Sequence, residues 1–217
     1  MPLGLAPPAG PLRLLCVGAH ADDIEIGCGG TILTLAAVRP IDATWVVLSS
    51  DDLREREARA AAARFLAKAQ SSSVDVQRFR NGFFPHEGAK IKDYFESLKA
   101  RPAFDLILTH TSDDRHQDHR VVNELTWNTF RNHTVLEYEI PKYDGDLGRP
   151  SVFVPLTKAV LAEKVRIAME SFASKRDKHW FSEDLFTALA RLRGMECCAP
   201  EGHAEAFYAR KIVLSAG

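Results

Sequence analysis

Short apolar runs alternate with longer helical stretches through the first 130 residues, and this alternation constrains the fold more than any other feature. The apolar runs at 12–18, 43–49, 74–79 and 105–109 predict four strands, each followed by a stretch with helical character. Strands that alternate with helices are typical of βαβ units, in which the strands pair in parallel. We therefore predict a Rossmann-like α/β fold, with a mostly parallel sheet flanked by helices and an active site at the carboxyl ends of the strands.

The sequence pattern also predicts the helices and the remaining strands. Helices are predicted over 31–38, 53–69, 91–99, 120–130, 158–172 and 184–193, and further strands over 135–140 and 206–214. The run Gly27–Gly30 lacks the GxGxxG spacing of a dinucleotide loop and follows an acidic doublet, so we interpret it as a tight turn before a helix. Residues 141–155 are predicted to be an irregular segment over a binding face.

Length and charge narrow the class of protein. The 217 residues predict a single domain spanning 1–217, with 1–11 as a flexible leader broken by prolines. The 28 basic and 29 acidic residues leave a net charge of −1, so we expect neither nucleic acid nor a membrane surface as a partner. Four cysteines without a disulfide or zinc-knuckle spacing favour a cytoplasmic protein with reduced thiols. The apolar runs fall far short of the ~20 residues of a membrane span, so we expect a soluble protein.

Two segments are dense in histidine and aspartate, and each follows a predicted parallel strand. One is His20-Ala-Asp22-Asp23 after the first strand, and the other is the segment 114–119 after the fourth strand. Because the carboxyl ends of parallel strands meet at one edge of a sheet, we expect the two segments to converge in one crevice.

The residue types in these segments are those of a metal hydrolase. His20, Asp23 and His119 supply two imidazoles and one carboxylate, the ligand set of a catalytic zinc that keeps a fourth position for water. Asp22 is then free to act as the general base that takes the proton of that water.

Two further side chains are predicted to assist. We expect His116, as an imidazolium, to stabilise the developing oxyanion and to protonate the leaving amine, and Asp118 to orient His116. Asp114 is a second candidate for such an orienting role.

Residues 19–30, AHADDIEIGCGG, resemble the AHPDD…GxGG signature of the LmbE-like, or PIG-L, family of zinc-dependent N-acetyl-sugar deacetylases. The segment Asp114-x-His116-x-Asp118-His119 resembles the second signature of the family, and residues 49–57 and 204–207 are in keeping with it. Ala21 departs from the family by replacing a common proline, and Ile24 stands where many members have glutamate, with Glu25 as a weak substitute.

The resemblance implies an activity and roles for the site residues. It implies removal of the acetyl group from an N-acetylated amino sugar or its conjugate, with Zn²⁺ or another divalent ion such as Fe²⁺ as cofactor. It also implies zinc ligation by His20, Asp23 and His119, general base catalysis by Asp22 and stabilisation of the tetrahedral intermediate by His116. The family permits a homo-oligomer.

Two alternative functions stay open at this stage. Two histidines and a carboxylate also form the facial triad of non-haem iron enzymes, although the adjacent Asp22 favours hydrolysis. A catalytically silent sugar-binding protein is the other alternative.

The residues that would contact the substrate are less clearly marked in the sequence than the metal ligands. Arg54 resembles a family arginine that contacts sugar hydroxyls, and it equally suits a helix surface. Tyr143 lies in the irregular segment, where hydroxyl and charged groups suit a many-hydroxyl ligand. Phe83 and Phe84 could line a sugar ring or belong to the core, and we favour the core.

Overall fold

The computed structural model describes residues 10–213, so most of the predicted leader and Leu214 lie outside the described residues. The strands are β1 (Leu12–His20), β2 (Ile41–Ser49), β3 (Ser71–Val76), β4 (Leu106–His110), β5 (Thr134–Tyr138), β6 (Val152–Leu156) and β7 (His203–Tyr208). The α-helices are α1 (Asp23–Val38), α2 (Asp52–Phe65), α3 (Phe84–Lys99), α4 (Gln117–Thr129), α5 (Lys158–Ser171) and α6 (Glu183–Glu196). A 3₁₀ turn, Ala173–Lys175, follows α5.

The seven strands form one sheet in the order β3-β2-β1-β4-β5-β7-β6. The five strands from β3 to β5 pair in parallel, whereas β7 is antiparallel to both β5 and β6. The prediction of a mostly parallel α/β sheet is therefore confirmed. No helix in the described part of the chain is both long and apolar enough to cross a membrane.

The order of the strands creates a crevice between β1 and β4. From β1 the chain builds outward through β2 and β3 on one side, and from β4 it builds through β5 on the other. Loops leaving β1 and β4 consequently diverge to opposite faces of the sheet, and the gap between them is where open α/β sheets bind ligands.

Each face of the sheet carries its own hydrophobic core. One core joins α1, α2, α5 and α6 to the sheet through large buried side chains such as Trp45, Phe65 and Phe207. The other lies under α3 and α4 and includes Phe84, Phe95 and Phe130. These two cores fix the helices that carry the charged residues at the carboxyl edge.

The interpretation of Gly27–Gly30 as a turn is wrong. α1 begins at Asp23, eight residues before the predicted start, and Asp23–Ile32 are all buried. The missing side chains let this buried helix approach its neighbours closely, since a Cβ on Gly29 would lie 2.5 Å from Phe65 and one on Gly30 would lie 2.6 Å from Leu156. The glycines therefore serve helix packing and not a turn.

The irregular segment 141–155 also ends differently from the prediction. Its last residues begin β6, an edge strand whose Pro155 pairs in register with Ala204 of β7. Proline is tolerated at a sheet edge because its missing N–H has no neighbouring strand to serve.

Candidate metal centre

The histidines and aspartates of the two segments come together at the crevice between β1 and β4. His20 is the last residue of β1, Asp22 precedes α1, and Asp23 is the first residue of α1. His116 precedes α4 and His119 lies in its first turn. The predicted convergence is therefore present in the structure.

Three donor atoms of the predicted ligands form a small triangle. Nδ1 of His20 lies 3.2 Å from Nε2 of His119 and 3.4 Å from Oδ2 of Asp23, and the third side, from His119 Nε2 to Asp23 Oδ2, is 3.5 Å. All three residues are buried.

The size of this triangle fits a tetrahedral metal ion. With ligand bonds of about 2.0–2.1 Å, neighbouring ligand atoms of a tetrahedral site lie roughly 3.3–3.4 Å apart. The observed sides of 3.2, 3.4 and 3.5 Å bracket that spacing. Two imidazoles and one carboxylate also match the donor types of catalytic zinc sites.

The second ring nitrogen of each predicted ligand histidine contacts a carboxylate. Nε2 of His20 lies 3.1 Å from Oδ2 of Asp118, and Nδ1 of His119 lies 2.8 Å from Oδ2 of Asp114. Such contacts fix the ring orientation and leave the other nitrogen free to bind metal. Sets in which Asp118 or Asp114 is itself a ligand are spatially compatible, but they would leave these histidines without that support.

The predicted role of Asp118 requires a correction. Its carboxylate accepts hydrogen bonds from the backbone N–H groups of Gly82 (2.6 Å) and Phe84 (3.1 Å) and contacts His20. Asp118 bonds to the His116 ring through its backbone N–H and not through this carboxylate. The carboxylate of Asp118 therefore lies where the loop before α3 meets the end of β1, and the ring that it contacts is that of His20.

His116 is the half-buried histidine of the site. Its ring stacks on His119 with centroids 4.6 Å apart, and its Nδ1 accepts a hydrogen bond from the backbone N–H of Asp118 at 3.2 Å. A neutral ring with Nδ1 as acceptor carries its proton on Nε2. Burial and the charge of His20 lower the pKa of His116, which favours this neutral donor over the predicted imidazolium.

The pKa values of the two predicted ligand histidines are shifted in opposite directions. Burial lowers the pKa of His20, but its contacts with Asp118 and Asp23 outweigh burial and raise that pKa to about 9. Burial and the charge of His110 lower the pKa of His119 to about 3. The site without metal therefore binds its proton on His20 and keeps His119 neutral.

Asp22 lies beside the triangle and is held by a lysine. Its Oδ1 accepts a hydrogen bond from Nζ of Lys175 at 3.1 Å, and both side chains are buried. Burial raises the pKa of Asp22 to about 6, although the charge of Lys175 opposes this shift. At neutral pH the carboxylate is ionised and still basic enough to accept a proton.

Three residues that sequence reasoning missed support the site. His110, at the end of β4, stacks its ring on His119 at 3.9 Å and brings Nε2 to 3.2 Å from Oδ2 of Asp23. Lys142 lies 3.0 Å from Oδ1 of Asp114, and Lys175 contacts Asp22. None of the three stands in the two segments rich in histidine and aspartate that marked the site in the sequence.

Glu25, the weak substitute for the family glutamate, is completely buried in the first turn of α1. Burial raises the pKa of its carboxyl well above the usual range, so this side chain is neutral. It belongs to none of the donor sets found among the described residues.

The predicted substrate contacts lie farther out. Arg54 is half-buried in the first turn of α2 and follows Ser49, which pairs with His20 across β1 and β2. Tyr143 is 70% exposed. Phe84 belongs to the core, as predicted, whereas Phe83 is 38% exposed and stacks under the Arg80 guanidinium at 3.5 Å.

This fold and site define a class: α/β proteins with a candidate three-residue metal site at the switch point of the sheet and a free carboxylate beside it. The model of the PIG-L family, described as GlcNAc-PI de-N-acetylase, matches residues 15–130, which is more than half of the chain. The chain belongs to this family, and the matched range contains every residue of the candidate site except Lys142, Tyr143 and Lys175.

Solved structures show the same fold at low sequence identity. The 4-carboxy-2-hydroxymuconate hydratase GalB from Pseudomonas putida KT2440 is 17% identical with a TM-score of 0.71, and the match covers 95% of this chain and 99% of that one. The N,N'-diacetylchitobiose deacetylase from Pyrococcus horikoshii is 15% identical with a TM-score of 0.62, covering 91% and 83%. The zinc-inhibited form of teicoplanin deacetylase is 15% identical with a TM-score of 0.69, covering 91% and 97%.

Proposed function

We propose that the protein is a metal-dependent N-deacetylase that hydrolyses the acetamide of an N-acetylated amino sugar or its conjugate to acetate and a free amine. The observation that carries this proposal is the triangle of His20, Asp23 and His119 with the ionised, unligated Asp22 beside it. Membership of the PIG-L family and two fold relatives named as deacetylases support it.

His20, Asp23 and His119 would hold the ion. We propose zinc because the spacing and the donor types suit it, with Fe²⁺ as the alternative that the same donors accept. A bound divalent ion would polarise the amide carbonyl and lower the pKa of a water toward ~7.

Asp22 is proposed to move the protons of the reaction. Its carboxylate takes one proton from the attacking water and returns one to the amide nitrogen as the C–N bond breaks. A carboxyl with a pKa near 6 suits both steps, since it is ionised before attack and readily gives its proton up afterwards.

His116 is proposed to stabilise the carbonyl oxygen as it gains negative charge. With Nδ1 bonded to the backbone N–H of Asp118, the neutral ring can donate only through Nε2. A fixed donor of this kind strengthens as charge develops on the oxygen, which is how oxyanion holes accelerate acyl transfer.

Arg54 and Tyr143 stay proposals as sugar contacts. Arg54 follows β2 at the carboxyl edge of the sheet, and its guanidinium makes no hydrogen bond to any described residue, so it is free to bind a ligand hydroxyl. We place the reaction in the cytoplasm on the cysteine pattern alone.

The test is acetate release from a panel of N-acetylglucosamine-containing compounds, with the protein stripped of metal and reloaded with Zn²⁺ or Fe²⁺. We expect metal-dependent acetate and free amine, and a loss of kcat by roughly 10²–10⁴-fold in Asp22→Asn at unchanged metal content. Asp113→Asn, at an exposed aspartate of the loop between β4 and α4, is the matched control and should behave as wild type.

Three outcomes would contradict the proposal. Undiminished turnover in Asp22→Asn would remove its role as base. A requirement for O₂ would replace hydrolysis by iron chemistry, and tight sugar binding without acetate release would indicate a silent binding protein. Because one fold relative is a hydratase, free amine must be measured beside acetate to show that an amide bond is broken.

A further inference from the structure

A buried lysine contacts the carboxylate that we propose as the general base. Lys175 lies in the 3₁₀ turn after α5, 153 residues along the chain from Asp22, and its side chain is 10% exposed. Its Nζ lies 3.1 Å from both carboxylate oxygens of Asp22, but only Oδ1 accepts it with hydrogen-bond geometry. Among the described residues, Oδ2 has no hydrogen-bond partner.

A buried ammonium must be compensated, because an unpaired charge in the protein interior is costly. Asp22 is the one carboxylate within ion-pair distance of Lys175 among residues 10–213. The ring of Trp180, with its centroid 5.4 Å from Nζ, supplies a weaker cation–π contact. The charge of Lys175 is therefore directed at Asp22.

The turn that carries Lys175 is itself anchored. Glu57 of α2 accepts hydrogen bonds from the backbone N–H of Ser174 (3.0 Å) and from its hydroxyl (2.5 Å), and Glu57 is buried. Hydrogen bonds to a charged acceptor are stronger than neutral ones. The position of the ammonium is thus set by α2 through the residue next to it.

The backbone conformation of Asp22 leaves its side chain without the usual helix-capping hydrogen bond. Asp22 has φ 105°, a left-handed conformation that non-glycine residues rarely adopt, and it precedes α1 without capping it. An aspartate at this position usually accepts a backbone N–H of the first helical turn. Here the carboxylate bonds to Lys175 instead.

We propose that Lys175 is a positioning residue for the deacetylase reaction, holding Oδ1 of Asp22 so that Oδ2 is the oxygen that accepts the proton of water. The proposal rests on the proposed function. Water loses one proton to Oδ2 and adds to the amide carbon, the same proton reaches the leaving nitrogen, and Lys175 keeps its own protons throughout. Glu57 and Ser174 act one step further out by fixing the turn.

The first test compares Lys175→Met and Lys175→Arg with wild type in the acetate assay. We expect Lys175→Met to lower kcat by roughly 10–100-fold with KM changed less than about threefold, since a carboxylate displaced by about 1 Å loses alignment and not substrate affinity. Lys175→Arg should recover part of kcat because a guanidinium can still donate to Oδ1. Ser174→Ala should fall between Lys175→Met and wild type.

Lys178→Met is the matched control, since Lys178 is an exposed lysine three residues further along. It should leave kcat unchanged, and all variants should bind as much metal as wild type. An unchanged kcat in Lys175→Met, or a loss that follows loss of metal, would overturn the proposal.

A second measurement needs no activity and so separates this inference from the proposed function. Lys175→Met alone should lower the denaturant midpoint of unfolding because it leaves a buried carboxylate unpaired, and adding Asp22→Asn should recover part of that loss. If the effects of the two substitutions on the unfolding midpoint are additive, Lys175 and Asp22 are not coupled. That result would overturn the inference, whatever the substrate of the enzyme. If wild type releases no acetate but the coupling is present, the deacetylase assignment fails and the lysine–aspartate link stands.

Discussion

Asp118 and Asp114 contact the nitrogens of His20 and His119 that face away from the triangle of predicted metal ligands. Their carboxylates hold each ring at the angle that points its other nitrogen inward and raise the basicity of that nitrogen. They differ in their other partners, because Asp118 also caps the loop before α3 whereas Asp114 contacts Lys142. We therefore expect the carboxylates of Asp118 and Asp114 to raise metal affinity without binding the ion themselves.

We predict that Asp114→Asn and Asp118→Asn each weaken metal affinity by roughly 10–100-fold. Competition with a chromophoric chelator measures this affinity directly, and Asp113→Asn again serves as the control. Wild-type affinity in both variants would show that the rings are held by packing alone.

At this scale the sequence identifies the residues of the local motifs and misses their distant partners. His20, Asp23 and His119 stand in two dense segments whose spacing signals metal chemistry. Lys175 stands among other charged residues with no motif, and His110 ends an apolar strand. Both acquire their role only when separate elements pack together, so no local pattern could reveal them.

The glycines of α1 determine how closely this helix packs, because they have no side chain to hold its neighbours away. A methyl group on Gly27 would overlap the ring of Tyr138, which is completely buried and whose hydroxyl donates to the carbonyl of Val17 at 2.6 Å. The ring is held by that hydrogen bond and cannot move aside. α1 therefore sits close enough to β5 to bring Asp23 into the triangle.

We predict that Gly27→Ala destabilises the protein by about 1–3 kcal/mol through overpacking. That loss lowers the thermal midpoint by roughly 2–4 °C per kcal/mol in a chain of this size. Gly88→Ala is the matched control, because Gly88 lies in α3 with no atom within 4 Å of an added Cβ. It should be neutral or raise stability by up to about 1 kcal/mol, and an equal loss in both variants would refute the packing argument.

The elements that sequence patterns misplace are those decided by tertiary contacts. A run of three glycines in four residues predicts a turn, yet burial on all sides of α1 overrides that local preference. β6 contains a proline and follows an irregular segment, and it becomes a strand only because β7 offers an edge to pair with. The strands β1, β2 and β4, which are buried on both faces of the sheet, are predicted to within a few residues by their continuous apolar runs.

On the scale of the whole molecule, the candidate site joins two halves of the sheet. His20 and Asp23 belong to β1 and α1, whereas His119 belongs to α4 after β4, about a hundred residues later. α1 and α4 pack on different hydrophobic cores, one on each face of the sheet. An ion bound by all three residues would therefore tie together parts of the fold that the sheet alone connects.

We predict that metal stabilises the protein as a whole, and more so at higher pH. A ligand that binds only the folded state at 100 times its Kd adds about 2.7 kcal/mol, so Zn²⁺ should raise the thermal midpoint by roughly 5–10 °C. The ion must displace the proton that His20, with its pKa raised to about 9, still holds at neutral pH. Protonated His20 stabilises the metal-free protein fully below about pH 6.5 and ceases to do so as the pH rises through 9, so the shift at fixed Zn²⁺ should grow from pH 6 to pH 8. Differential scanning fluorimetry with and without chelator measures this shift in the thermal midpoint. His119→Ala should abolish the shift, whereas the control His179→Ala, at an exposed histidine, should retain it. A shift that survives in His119→Ala would place the metal elsewhere.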